Sequence, residues 1–242
     1  MQYLKKLSEV TAVILAGGLG TRLRPVVADR PKVLAEVSGR PFLSYLLDQL
    51  VQVGLTDVVL CTGYLGEQVE AAFRKKYHSL HLSYSKEPVF LGTGGALRLA
   101  LPLLKSDSAL VMNGDSFCGA DLTAFWLWHL LQKANCTLLL SEATDRTRYG
   151  RVAVDGKGRV VRFIEKDGHG ELGWINAGIY LIRREFLLAI PEGGPVSLER
   201  EVFPSWVGRG LFAYMGQGGF IDIGIPEAYA EAGKVLAMEA GR

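Results

Sequence analysis

The sequence predicts an α/β fold, a mixed but mainly parallel sheet flanked by helices, with a β-rich second half. Three observations predict it. Short, wholly apolar runs alternate with stretches whose apolar residues recur at helical spacing. Strands without a polar face are those covered on both sides, as in parallel sheets. A glycine-rich segment follows the first apolar run directly, where open parallel sheets meet their ligands. After residue 145 the pattern changes to short strands joined by turns.

Each element can be justified in order. Residues 10–16 (VTAVILA) form a continuous apolar strand, and residues 17–24 a glycine-rich loop. Residues 42–53 carry apolar side chains at helical spacing. Residues 57–62 (DVVLCT) form a second strand, and residues 68–76 a helix with a charged face. Residues 80–85 alternate as a strand does. Residues 91–95 (LGTGG) are a second glycine-rich loop, feeding a helix over 96–104. Residues 109–112 are a buried strand ending in Asn113-Gly114-Asp115. A helix over 120–134 and a strand over 136–141 follow. Residues 152–154 and 160–164 flank Asp155-Gly156-Lys157-Gly158, a hairpin turn. Residues 175–182 form a strand that extends the same sheet, and Pro226 opens a final helix over 226–240.

Composition limits the function. The chain has 242 residues, 49% hydrophobic and 21% charged, which excludes an intrinsically disordered chain. A net charge of +2 speaks against nucleic-acid binding through bulk charge. The first residues lack an apolar signal core, and no apolar run approaches the roughly 18 residues of a spanning helix. A cytoplasmic protein without membrane partners is expected. Cys61, Cys118 and Cys136 are odd in number and widely spaced, which favours buried, reduced thiols. His78, His81, His129 and His169 show no zinc-type spacing with them. Glycine stands out, at 29 residues of 242 against about 7% typical usage.

The most informative segment is Leu15-Ala16-Gly17-Gly18-Leu19-Gly20-Thr21-Arg22-Leu23-Arg24-Pro25, followed by Pro31-Lys32. A glycine-rich turn after a buried strand lets backbone N–H groups approach phosphate oxygens. A dinucleotide fingerprint fails, because a glycine is needed at position 23, which is Leu23. A Walker-A loop fails too, because Gly20 is followed by Thr21-Arg22 rather than Lys-Ser/Thr. Asp115 and Asp222 each end an apolar run, where a carboxylate is costly unless paired or bound to a cation.

The segment Gly17–Leu23 with Pro31-Lys32 closely resembles the signature of the sugar-1-phosphate nucleotidyltransferases. Further blocks fit in order: Leu91-Gly92-Thr93-Gly94-Gly95, Asn113-Gly114-Asp115, Tyr149-Gly150, Glu165-Lys166, Asn176-Ala177-Gly178-Ile179-Tyr180 and Ile221-Asp222-Ile223-Gly224. Within the family the chain is most similar to the D-glycero-α-D-manno-heptose 1-phosphate guanylyltransferases, through residues 26–32, 91–95, 113–116 and Arg148-Tyr149-Gly150. Asp167 stands where many relatives have proline after the Glu-Lys pair.

The resemblance implies a Rossmann-like fold and a single domain over 1–242, with residues of about 10–145 binding nucleotide and about 146–242 binding sugar. An extra C-terminal repeat domain like that of some relatives is not expected after the last motif. It implies transfer of a nucleoside monophosphate from its triphosphate to a sugar 1-phosphate, with Mg²⁺ as cofactor. Arg22, Lys32 and Asp115 would be catalytic; Asp115 and Asp222 would hold the metal. Leu15, Ala16, Gly17, Gly18, Gly20, Thr21, Arg22, Glu87, Gly92, Thr93 and Gly114 would bind nucleotide. Lys32, Gly150, Glu165, Lys166 and Asn176 would bind the sugar phosphate. Arg24 would assist the phosphates or simply cap the loop. Glu87 favours GTP, because a carboxylate only accepts hydrogen bonds and guanine's pairing edge offers two adjacent donors. Mannose 1-phosphate is the alternative acceptor, and a non-catalytic nucleotide-sugar sensor the alternative class. The cluster Phe125-Trp126-Trp128 reads as core; a homodimer stays open.

Overall fold

The computed structural model describes residues 6–142, 151–164 and 173–241. The chain begins with β1 (Thr11–Leu15), then a glycine-rich turn, a short 3-10 turn at Lys32–Leu34 and the small hairpin β2 (Glu36–Val37) and β3 (Arg40–Pro41). There follow α1 (Phe42–Gln52), β4 (Asp57–Thr62), α2 (Gly66–Phe73), β5 (Lys76–Tyr77), β6 (Leu80–Lys86) and α3 (Gly92–Ala100). Next come β7 (Ser108–Asn113), β8 (Ser116–Cys118), α4 (Leu122–Leu131) and β9 (Cys136–Glu142). The second half holds β10 (Arg151–Val154), β11 (Val160–Ile164), β12 (Trp174–Arg183) and α5 (Arg184–Leu188). It closes with a π-helical turn at Leu198–Val202, α6 (Phe203–Ser205), β13 (Leu211–Met215), β14 (Phe220–Asp222) and α7 (Pro226–Ala240).

The main sheet runs β11-β10-β12-β7-β1-β4-β6-β5, with β9 beside β12 and β13 beside β9. Its centre, β7-β1-β4-β6, is parallel. β12 joins β7 antiparallel, with Ile179 opposite Met112, so the later half does continue the same sheet. Side chains alternate between two cores. Ala12, Ile14, Val58, Leu60, Leu110 and Met112 face one, with α1 and α7 over them. Val13, Val59, Cys61, Ala109 and Val111 face the other, under α3 and α5. Apolar side chains on both faces explain why these strands have no polar period. Phe125 and Trp126 are buried in the first core, as their sequence reading held. The three cysteines are buried and free. Burial also lowers the pKa of His129 to about 4 and leaves its ring neutral beside Thr137.

Several elements differ from the sequence reading. α2 starts and ends two to three residues earlier than 68–76, because Leu65 and Arg74 adopt positive φ on either side of it. β8 and β14, three residues each, were not foreseen; they pair only with each other across the chain. Residues 91–95 are not a free loop: α3 begins at Gly92. Their glycines serve packing. A Cβ at Gly92 would lie 2.6 Å from the Val196 carbonyl oxygen, one at Gly94 3.0 Å from the Val196 side chain, and one at Gly95 3.1 Å from the Gly194 oxygen. The segment 194–198 thus straps across the start of α3, bonded by Gly94 N–H to Val196 O at 2.8 Å and Val196 N–H to Leu91 O at 2.8 Å. Gly92 also has φ of +70°. Gly92→Ala is therefore expected to destabilise the fold by roughly 2–4 kcal/mol, joining backbone strain to displacement of the strap. Urea unfolding of the variant checks this; an unchanged midpoint refutes it.

Candidate active site

The carboxyl ends of the parallel strands open into a cleft. Leu15, Ala16, Gly17 and Gly18 line it from the end of β1, Glu87 and Phe90 from beyond β6, and Gly92, Thr93 and Ala96 from α3. Asn113 and Asp115 line it from beyond β7, and Lys32 and Val33 from the 3-10 turn. Of the residues expected to bind nucleotide, Leu15, Ala16, Gly17, Gly18, Glu87, Gly92 and Thr93 border this space directly. Gly20 lies next to Lys32 in a small neighbouring hollow shared with Arg24, Arg30 and Tyr64. Thr21 and Arg22 are exposed on the turn that follows.

Backbones meet closely here. Gly114 donates to Leu15 O at 2.9 Å, and a Cβ on it would lie 2.8 Å from that oxygen and 2.9 Å from Val33. This contact brings Asp115, just past β7, against Lys32. Lys32 Nζ pairs with Asp115 Oδ2, and Ser116 Oγ donates to Asp115 Oδ1 at 3.3 Å. The ammonium is mostly buried and the carboxylate partly so. β14 sets Asp222 opposite Ser116, and Ile223 N–H donates to Asp115 O at 2.9 Å. The two carboxylates expected to share a metal therefore sit on adjoining backbones. Asp222 Oδ1 accepts from Gly224 N–H at 2.7 Å. A Cβ at Gly224 would lie 2.8 Å from Asp222 Oδ1 and 3.4 Å from an Arg22 guanidinium nitrogen, so Arg22 reaches the same corner.

Asn176 lies on β12, where the ladder with β9 slips between Asn176 and Tyr180. Gly178 sits in that slip with φ of +74°, and a Cβ there would come within 2.8 Å of Asn113 Nδ2. Asn176 is thereby held near the cleft wall, its Oδ1 accepting from Gly178 N–H. Among the described residues nothing donates to the buried Asn113 Oδ1, which leaves an acceptor for a ligand or water to satisfy. Gly150, Glu165 and Lys166 lie outside the described residues.

Two site residues escaped the sequence reading. Glu199, on the π-helical turn, accepts from Thr93 Oγ1 at 2.8 Å, Ser197 Oγ at 3.1 Å and Tyr180 Oη at 3.2 Å. Asn176 Nδ2 in turn donates to Tyr180 Oη at 2.9 Å. One carboxylate so ties the start of α3 to the residue expected at the sugar. The π turn is the local signal, since such turns gather at functional sites, yet a five-residue π segment is invisible in sequence periodicity. Phe90 is the other, an exposed ring at the cleft rim.

Burial pushes the Glu87 carboxyl above the usual carboxylate range, opposed by the Leu91 N–H that donates to its Oε2 at 3.1 Å. A raised folded pKa means the native state holds the proton more tightly than the unfolded chain. Stability from Glu87 is thus fully present at low pH and is lost as pH rises past its unfolded value and through the folded one. Glu87→Gln, which still accepts from Leu91, should gain in Tm over the parent as pH rises from about 4 to 7. A gap between the two proteins that stays constant across that range contradicts it.

The sequence of residues 11–239 matches the Nucleotidyl transferase family, and the chain belongs to it. It is 38% identical over 225 residues to the mannose-1-phosphate guanylyltransferase of Mycobacterium tuberculosis, covering 91% of this chain and 63% of that protein's length. It is 36% identical over 226 residues to the D-glycero-α-D-manno-heptose 1-phosphate guanylyltransferase of Aneurinibacillus thermoaerophilus, covering 93% of this chain and 97% of that one. Among solved structures, HddC from Yersinia pseudotuberculosis complexed with GMP-PN superposes with a TM-score of 0.80 at 31% identity, covering 93% of this chain and 98% of the other. The mainly parallel sheet flanked by helices is the fold shared with such neighbours. No helix among the described residues is long and apolar enough to cross a membrane.

Proposed function

We propose that this nucleotidyltransferase transfers GMP from GTP to D-glycero-α-D-manno-heptose 1-phosphate, giving GDP-heptose and pyrophosphate. The observation that carries the reading is the meeting of Lys32 and Asp115 in the cleft that Gly17, Gly18 and Glu87 also line. The Aneurinibacillus relative supports the sugar, since this chain spans nearly its whole length. Mannose 1-phosphate is the second reading, favoured by the 38% identity to the mycobacterial enzyme. The setting this implies is a cytoplasmic step that supplies an activated sugar for surface glycans.

In the reaction a sugar-phosphate oxygen attacks the α-phosphorus of the triphosphate, and the bond to the leaving pyrophosphate breaks. That oxygen is already anionic at neutral pH, so no general base is needed. The obstacle is bringing two polyanions together, and the protein's task is positioning with charge stabilisation. Lys32, paired with Asp115, would turn its ammonium to the α-phosphate and the incoming sugar phosphate. Arg22, at the corner beside Gly224, would hold the pyrophosphate with its planar fork. Asn176 would hold the sugar through hydrogen bonds, kept in place by Tyr180 and Glu199.

The donor set at Asp115 and Asp222 fits Mg²⁺. Two hard carboxylates on adjoining backbones suit an ion that commonly takes one or two of them and leaves its other positions to phosphates and waters. Among the described residues no group of three or more acidic, histidine or cysteine side chains forms a self-sufficient cage, so substrate phosphates would complete the site. When bound there, Mg²⁺ would neutralise phosphate charge.

A matrix of GTP, ATP, UTP, CTP and dTTP against heptose, mannose and glucose 1-phosphates, read by pyrophosphate release, tests the assignment. GTP with the heptose is expected to give the highest kcat/KM; a preference for UTP or dTTP removes the guanine argument, and a preference for mannose 1-phosphate selects the second reading. Lys32→Ala, Arg22→Ala and Asp115→Asn should each lower kcat by about 10²–10³-fold, the usual loss for one placed charge or donor. Folded variants with near-parental rates refute those roles.

A further inference from the structure

We propose that Phe90 is the surface on which the nucleobase stacks, so that the base is gripped by an aromatic face as well as read along its edge. The inference rests on the nucleotidyltransferase reading of this cleft and deepens it. Both ends of the 87–91 turn are pinned. Glu87 N–H donates to Thr62 O at 2.8 Å, and Leu91 N–H donates to Glu87 Oε2 at 3.1 Å. Pro88 fixes one φ between them. The strap at Val196 then holds Leu91 from the far side through its carbonyl. A loop so constrained cannot fold its apolar side chains away, and Phe90 is left 58% exposed at the rim of the cleft it lines.

An exposed ring on a rigid loop has a reason when a flat ligand covers it. Phe90 is the aromatic side chain among the residues that border this cleft. The lining around it offers two kinds of chemistry. The Gly17–Gly18 backbone and Lys32 suit phosphate, whereas Glu87 and the apolar Leu15, Ala16 and Ala96 suit a base. A purine brings edge donors for a carboxylate acceptor and two apolar faces that the carboxylate cannot satisfy. Phe90 supplies the missing face, and its position next to Glu87 in the turn places face and edge recognition on one rigid element.

The test uses the full chain with Phe90→Ala, Phe90→Tyr and Phe90→Trp. Loss of one base–aromatic stack corresponds to about tenfold to hundredfold in nucleotide affinity. Phe90→Ala should therefore raise KM for GTP by about that factor and leave KM for the sugar 1-phosphate within about twofold. Phe90→Tyr should restore the parental value, which a lost packing contact would not require. In Phe90→Trp the added tryptophan emission, taken against the parent, should be quenched saturably by GTP and not by inorganic tripolyphosphate. The proposal is overturned if Phe90→Ala keeps the parental GTP KM, if both KM values rise together, or if tripolyphosphate quenches as GTP does. The two readings fail separately. Should the parent prefer a pyrimidine triphosphate, the guanine assignment falls, and quenching by that nucleotide but not by tripolyphosphate still supports stacking. Should the parent release no pyrophosphate at all, the same titration with GTP decides Phe90.

Discussion

Backbone meeting backbone at the carboxyl edge of the parallel strands is the constraint on which the rest of this molecule depends. Gly114 touches Leu15 O, Gly63 lies where a Cβ would come within 2.9 Å of Gly17 O, and Gly17 has Glu87 Oε1 over its own Cα. Side chains at these points would force β1, β4 and β7 apart at their ends. With none present, the loops beyond the strands close to within hydrogen-bonding distance, and charged groups from separate parts of the chain come into contact. Lys32 meets Asp115 across 83 residues because of it. Part of the unusual glycine content thus answers a packing demand, while Gly17 and Gly18 also face the cleft.

The same logic extends to the strap. Gly92, Gly94 and Gly95 lie close against residues 194–196, and Gly92 lines the cleft as well. What that closeness accomplishes is positional. It seats Ser197, Leu198 and Glu199 over Thr93, and Glu199 then joins Thr93 to Tyr180 and Asn176. A carboxylate accepting three hydroxyl donors is satisfied without a cation. The result is a cross-link between the start of α3 and β12 made of directional bonds. It offers a physical route by which one half of the cleft holds the geometry of the other.

Legibility in the sequence followed the range of the interactions involved. β4 at 57–62 and α7 at 226–240 coincide with their sequence readings, because a buried apolar run and a proline at the first helical turn are local signals. β8 and β14 were missed for the opposite reason. Three residues carry no period, and each strand exists through a partner about a hundred residues away. The 198–202 turn is set by the strap beneath it rather than by its own pattern. Glu199 could not be singled out among the acidic residues of that stretch, since only its three donors distinguish it. Phe90 likewise became notable only once the turn around it was seen to be pinned.

By itself the sequence determined the sheet's parallel centre, the order of its longer strands and helices, and the loop that follows β1. These are dictated by apolar periodicity and by glycine placement, which act over a few residues. It also carried the motif set that marks the family, because those residue types recur at fixed positions along the chain. Tertiary structure decided the rest: that Lys32 is paired with Asp115, that Asp222 adjoins it through β14, that Glu199 binds three hydroxyls and that Phe90 stands at the rim. Such facts depend on distances between residues far apart in sequence. Chain closure sets those distances, and no local pattern encodes them.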